Sequence, residues 1–474
     1  MEAITIPHVR IPSINIGGIC LPGIGAPGSI GKKGLIWPAG MKEHIKAWYD
    51  PKKQGMTNFD VIEAYVEDFS KNPWNNKTEK YVGNLTSKAL TVTEVLVRSA
   101  LIYTNIKPYN FKVRITGLIN NQKVIFGDDT SPYRALIVDK DGIYDINWED
   151  NHKAYCIWID FIGECNITIT QLPTSILKDF SGNGNHAYLY GGKGKLNSGM
   201  GVYQQDFSKL IISRVDKKQD PFSFTVSGSG GSYLAYMQLG NWNNKAFKIL
   251  ANINAKSDYL YLRFRNSTDA VITSVMLKNG ENIIPAQNIE GATKAVFEYS
   301  LKEGETITIT QIPDYPDQLC YDGKMYAVAY DMPILTDYTV MAERTILDNS
   351  DIADWAFIAK RDYPAINGAF TFEKDIDDAS DNFRTISFGR TSVIYKPIKE
   401  RSISYQTKNK YNGQDIIVGN VDDVDFLLIG AGILDTNLNL VKEKMRVAHG
   451  AIIIADRSFT EEEINWLKQN WDKI

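Results

Sequence analysis

Chemistry needs convergent titratable or nucleophilic groups, so the five histidines come first. His8, His44, His152, His186 and His449 are scattered, and none sits in an H-x-x-x-H or C-x-x-C type metal spacing. No G-x-S-x-G elbow marks a hydrolase serine, and no Walker-type loop could cradle a phosphate. A glycosidase would need two carboxylates roughly 5 to 10 Å apart across a sugar site. The nearest candidate, Asp422-Asp423-Val424-Asp425, precedes an apolar strand, lacks a glutamate and reads as a solvated turn. Asp375 to Asp381 (DIDDASD) reads as a charged loop tip able to hold Ca²⁺ weakly. His186, inside Asn183-Gly184-Asn185-His186, reads as a hydrogen-bonding residue of a turn. These readings point away from an enzyme.

Binding remains. Sugar rings stack on Trp and Tyr faces while Asn, Asp and Arg bond their edges. Trp74 beside Asn75 and Asn76, Trp242 between Asn241 and Asn243, and Tyr363 are candidate carbohydrate platforms; the competing reading for each is core or rim packing.

Such residues need a scaffold, and composition indicates its type. The chain has 474 residues, enough for two to four domains, with 43% hydrophobic and 23% charged residues. Tyr (25), Phe (19) and Trp (9) accompany abundant Ile, Thr and Gly, which favours strands over helices. A net charge of -4 gives no electrostatic reason to expect nucleic acid. Cys20, Cys156, Cys165 and Cys320 are too few for a disulfide framework and read as thiols, although a Cys156–Cys165 bridge across a hairpin stays open. No signal-type leader and no bilayer-length apolar run occurs, so the expectation is a chain made without Sec-type export or membrane insertion, or released by lysis.

Along the chain, Ile4 to Gly40 has Pro or Gly every few residues, which disfavours a helix or regular strand. Two readings fit: a disordered leader, or an extended arm over residues 1–40 whose Ile14, Ile16, Ile19, Leu21 and Ile24 pack on something else. Short alternating segments follow, such as FKVRIT (Phe111 to Thr116) and YLYLRFR (Tyr259 to Arg265); period two puts Phe111, Val113, Ile115, Leu260, Leu262 and Phe264 inward and leaves Lys112, Arg114, Arg263 and Arg265 wet. ITITQLP at Ile167 to Pro173 recurs as ITITQIP at Ile307 to Pro313, each after a polar turn and an apolar strand. This repeat predicts two copies of one β-module, at 95–173 and 222–313. Glu67 to Asn72 echoes Lys178 to Asn183 more weakly. Near the end, Thr460 and Glu463 have capping-box spacing, Phe459 and Ile464 staple spacing, and Ile464, Leu467 and Trp471 share a helical face, predicting a helix docked on a sheet.

Three stretches resemble the laminin-G-like, concanavalin-A-like jelly roll: IKAWYD (Ile45 to Asp50) with LKDFSGNGNHAYLYGG (Leu177 to Gly192); Gln318 to Leu347; and LLIGAG (Leu427 to Gly432) through AHGAIIIADRSFTEEEINWLK (Ala448 to Lys468). The resemblance covers about half the chain. It implies an all-β fold in which the jelly roll is split over 41–94, 174–221 and 314–474 by the two inserted β-sandwich modules. It also implies a Ca²⁺ site with Asp179, Asn183, Asn185 and Asp322 as oxygen ligands; a structural turn is the competing reading. KKQGMTN (Lys52 to Asn58), DFSGNGNHA, NSGMGVY (Asn197 to Tyr203), ITITQIPDYP and FTEEEI are together similar to proteins of phages infecting gut Bacteroidales (crAss-like phages). That similarity implies a virion component assembled in the host cytoplasm: a head fibre, capsid decoration or tail fibre. It would be attached to other virion proteins by its arm, be homo-oligomeric, for example trimeric, and contact host-surface polysaccharide. A bacterial carbohydrate-binding adhesin and a glycan hydrolase are the alternatives.

Overall fold

A computed structural model describes residues 35–55, 81–85, 89–95, 99–103, 110–128, 136–147, 155–191, 205–212, 216–220, 222–228, 231–256, 259–349, 352, 354–362, 368–375, 382–394, 398–420, 422–435 and 440–474. It also gives the backbone pairing of Ile14–Ile16 with Ile19–Leu21. Trp74, Tyr363, Ile24, the echo at Glu67 to Asn72 and most of Asp375 to Asp381 lie outside the described residues. The chain divides into two compact units, Met1–His44 with Phe459–Ile474, and Ile45–Ser458.

In the smaller unit, Ile14 faces Leu21 and Ile16 faces Ile19 in an antiparallel hairpin. The helix Glu461–Asn470 forms where its cap signals lie. Thr460 Oγ1 accepts from the Glu463 N–H, and the Glu463 carboxylate accepts from the Thr460 N–H. Ile464, Leu467 and Trp471 are buried, and the Trp37 and Trp466 rings lie 5.1 Å apart.

The larger unit is all-β, as expected, and its host is a two-sheet sandwich. One sheet runs Ile176–Leu177, Ala187–Tyr190, Tyr326–Ala329, Leu427–Ile429, Ala356–Lys360, Phe370–Asp375, Phe383–Ser387, Arg390–Ile394. The other is built on Arg446–Ala455, flanked on one side by Ile45–Tyr49 and Leu319–Asp322 and on the other by Thr339–Ile346, which pairs onward with Ser402–Thr407. Tyr49, Tyr321, Val340 and Ile452 from this sheet and Leu189, Phe357, Phe372 and Leu427 from the first close one core. The outer face of the first sheet is covered as well. Tyr188, Tyr326, Val328 and Leu428 lie under Phe426, Leu434 and Val441, so the central strands are apolar throughout instead of alternating.

Two further sandwiches interrupt this host and repeat each other strand for strand, but each begins before the expected 95 and 222: Tyr81–Leu85 and Ala89–Val95 belong to the first and Asp216–Gln219 to the second, not to the host. In the first, a five-stranded sheet runs Gly142–Asn147, Asn110–Thr116, Gly163–Leu172, Ala89–Val95, Tyr81–Leu85, and a four-stranded sheet runs Ser99–Tyr103, Tyr155–Ile159, Val124–Asp128, Leu136–Val138. In the second, the corresponding orders are Gly280–Ile284, Phe247–Asn254, Thr306–Ile312, Ser223–Ser227, Asp216–Gln219 and Gly231–Gln238, Lys294–Leu301, Leu260–Arg265, Val271–Met276, with Ile211–Ile212 added at one edge. The repeated ITIT segment is the central strand of the larger sheet both times. Ile167 and Ile169 are buried in one core, Ile307 and Ile309 in the other, and Thr168 pairs through its hydroxyl with Thr91 as Thr308 does with Thr225, at 3.3 and 2.9 Å. The alternating apolar sets face inward as expected, but the intervening arginines are half-buried and paired instead of wet: Arg263 and Arg265 both reach Glu298, at 2.9 and 2.5 Å.

Candidate ligand-binding cleft

A cleft of about 830 Å³ lies between the first inserted sandwich and the host, a size that suits a small ligand. Its floor is the outer face of the larger inserted sheet. Strand alternation that buries Ile167 and Ile169 turns Thr168 and Thr170 outward, and the register places Thr168 between Thr91 and Thr116. Three threonines from three neighbouring strands therefore form one row of hydroxyls. At one end Asp141 accepts from the Gly117 and Leu118 N–H groups at 2.9 and 2.8 Å. Gly117 is required there: it holds φ +91, and a Cβ would stand 1.8 Å from the Asn166 carbonyl oxygen beside the cleft.

The host supplies the opposite wall, Tyr330, Asp331, Asp425 and Leu434. Arg114 crosses to it from the floor. Its Nη2 lies 3.1 Å from Asp331 Oδ1 and 3.4 Å from Asp425 Oδ2, its guanidinium lies over the Tyr330 ring at 4.8 Å, and its buried Nε has no protein acceptor. The Tyr330 and Tyr190 hydroxyls share a hydrogen bond of 2.9 Å, and burial raises the Tyr330 pKa, so this phenol stays neutral. The cleft thus presents hydroxyls, carboxylates and one guanidinium stacked on an aromatic ring, groups that can bind polyols.

The structure disperses the residues singled out from the sequence. Trp242 is a correction: it packs edge-on against Phe247 and Phe264 inside the second inserted core and offers no open ring face. The Asp422 reading is also corrected. Far from being a solvated turn, its side chain is wholly buried, where Oδ2 accepts from Lys360 Nζ at 2.6 Å and from the Leu335 N–H at 2.8 Å. Lys360 also donates to the Val424 carbonyl, and burial lowers its pKa.

The proposed Ca²⁺ ligands act as donors and acceptors within the protein. Asp179 Oδ1 accepts from the Trp48 and Ser181 N–H groups, and Oδ2 from Ser181 Oγ and the Asn185 N–H, at 2.8 to 3.0 Å. Asn183 and Asn185 donate their side-chain amides to the Lys46 carbonyl at 3.2 and 2.8 Å, and Asn183 also to that of Ile45 at 2.8 Å. His186 Nδ1 accepts from the Asp179 N–H at 3.0 Å, the turn role expected of it. Asp322 Oδ1 accepts from the Lys324 and Met325 N–H groups in a separate turn. Among the described residues no group of three or more His, Cys, Asp or Glu side chains is placed to hold a metal ion. Cys165 is a free thiol, its Sγ 3.3 Å from the Val92 carbonyl.

Two carboxylates do meet elsewhere. Lys374 Nζ lies 2.6 Å from Asp354 Oδ1 and 3.0 Å from Glu443 Oε1, with Arg361 Nη1 3.9 Å from Glu443 Oε2. Burial raises the Glu443 pKa against the opposing pull of Lys374. An ammonium group occupies the space between the two acids that a glycosidase would give to sugar. Among the described residues no helix is long and apolar enough to cross a membrane.

No family model and no curated protein matches this chain. A solved structure of a Trypanosoma rangeli sialidase in complex with sialic acid is similar at a TM-score of 0.25 and 8% identity, over 87% of this chain and 85% of that one. A score that low carries no argument about activity.

Proposed function

We propose that this chain is a structural, non-catalytic display protein of a phage particle, a head fibre, capsid decoration or tail-fibre component, held by its N-terminal segment and touching host-surface glycans. The observation that supports this reading best is the duplicated sandwich. Two inserted modules with one pairing order enlarge the surface that a host sandwich presents, while the buried Arg344–Glu373 and Lys360–Asp422 contacts outside the cleft are structural pairs. The cleft adds a polar, sugar-sized recess to that surface. Fold alone does not assign function, so the test is biological. Removing residues 1–40 should abolish incorporation into particles while leaving glycan binding by the free protein unchanged. Binding retained by a chain never found on particles would favour a bacterial adhesin instead. Incubation with capsule polysaccharide should leave its chain length unchanged; shortening that disappears in Glu443→Gln would mark a hydrolase and overturn the proposal.

A further inference from the structure

We infer that the cleft between the first inserted sandwich and the host takes an uncharged, hydroxyl-rich ligand, a neutral oligosaccharide of two or three units, and turns away anionic sugars. The inference rests on the glycan-contact reading above and gives it a site and a ligand class. Among the described residues Arg114 is the one cation lining the cleft, against Asp141, Asp331 and Asp425. The Asp331 and Asp425 carboxylates already face its Nη2. An incoming carboxylate or sulfate would have to displace one of them and would meet a net negative lining. A neutral sugar meets no such penalty. Its hydroxyls both donate and accept, matching carboxylates that only accept and threonine hydroxyls that do both. The hydroxyl row Thr91, Thr168 and Thr116, with Thr170 on the next row, gives a repeated set of such partners on a rigid sheet. Nothing in this lining resembles a cation cage either, because Asp141 is engaged by two backbone N–H groups and Asp331 and Asp425 by Arg114.

The test uses the full chain against immobilised neutral, sialylated, sulfated and amino trisaccharides. Neutral probes should bind about tenfold tighter than charged ones, since one or two mismatched polar contacts cost that much. Thr168→Val with Thr170→Val removes two hydroxyls at nearly constant volume and should weaken neutral binding about tenfold, with an unchanged melting temperature. Asp331→Asn with Asp425→Asn releases Arg114 and should narrow the gap between neutral and acidic probes at least fivefold. Acidic or amino probes binding as tightly as neutral ones would overturn the ligand class. Neutral binding that survives the threonine changes would overturn the site and leave the glycan-contact reading standing. Absence of binding to every probe would overturn both.

Discussion

His449 is fully buried beside Tyr321, its Nδ1 2.8 Å from the Gly450 carbonyl and its Nε2 3.3 Å from the Tyr321 hydroxyl. A neutral ring satisfies both contacts, with Nδ1–H donating and Nε2 accepting. Burial holds its pKa down to about 4. The unfolded chain therefore takes up this proton near the ordinary pH 6.5 and the folded one only near 4, so stability present above 6.5 is lost as pH falls through that window. The loss should approach roughly 3 kcal/mol. Urea unfolding of His449→Gln against the parent at pH 7 and pH 4.5 should show a smaller acid penalty in the variant. Arg344 and Glu373 form a second buried contact, Nε to Oε2 at 2.7 Å and Nη2 to Oε1 at 2.5 Å, with Tyr411 donating to the same carboxylate at 2.6 Å and Arg344 reaching Ser402. Glu373→Gln leaves the guanidinium buried without its counter-charge and should cost about 3 to 5 kcal/mol in the same assay. Neither partner was legible from sequence as buried. Glu373 sits at φ +57 where the ladder slips between Thr371 and Lys374, so counting alternate residues assigns it the wrong face, whereas Arg344 shares the inward set of Val340, Ala342 and Ile346 and only its charge argues against burial.

At the scale of elements, Asp179 is the fastening of the opening strand. Its carboxylate accepts from the Trp48 N–H while the Asn183 and Asn185 amides hold the Ile45 and Lys46 carbonyls, so one turn satisfies the backbone of Ile45–Tyr49. Asp179→Ala should speed amide exchange across residues 45–49 and leave the two inserted sandwiches unchanged. Because four donors already occupy that carboxylate, chelator or millimolar Ca²⁺ should move the melting temperature by less than about 1 °C; a larger shift would restore the calcium reading. The turn itself was visible in its Asn and Gly spacing, and the terminal helix in its capping box. The cleft floor was half visible, since alternation alone turns the ITIT threonines outward. Its wall was hidden, because Asp331 and Asp425 stand 217 and 311 residues from Arg114.

For the larger unit as a whole, the repeat was the most informative feature of the sequence: a seven-residue string differing only at Leu172 and Ile312 pointed to copies whose strand orders coincide. The second copy closes its own core, from Phe207 and Leu210 through Ile309. Expressed alone, residues 205–313 should therefore melt in one cooperative transition, whereas the first copy shares Leu172 and Ile143 with the host cluster and should be less stable in isolation. Calorimetry on each piece measures this.

In both copies the first and last of the corresponding strands, leaving aside the added Ile211–Ile212, lie in one sheet, each antiparallel to the single strand between them. They run in the same direction, so the polypeptide goes in at one pole of the sandwich and comes out at the other, roughly 30 Å along a ten-residue strand. Each copy is thus threaded in line, like a bead on a cord. Exchanging one bead for its twin keeps that polarity, while dropping a terminal strand would send the polypeptide back toward the pole it came from.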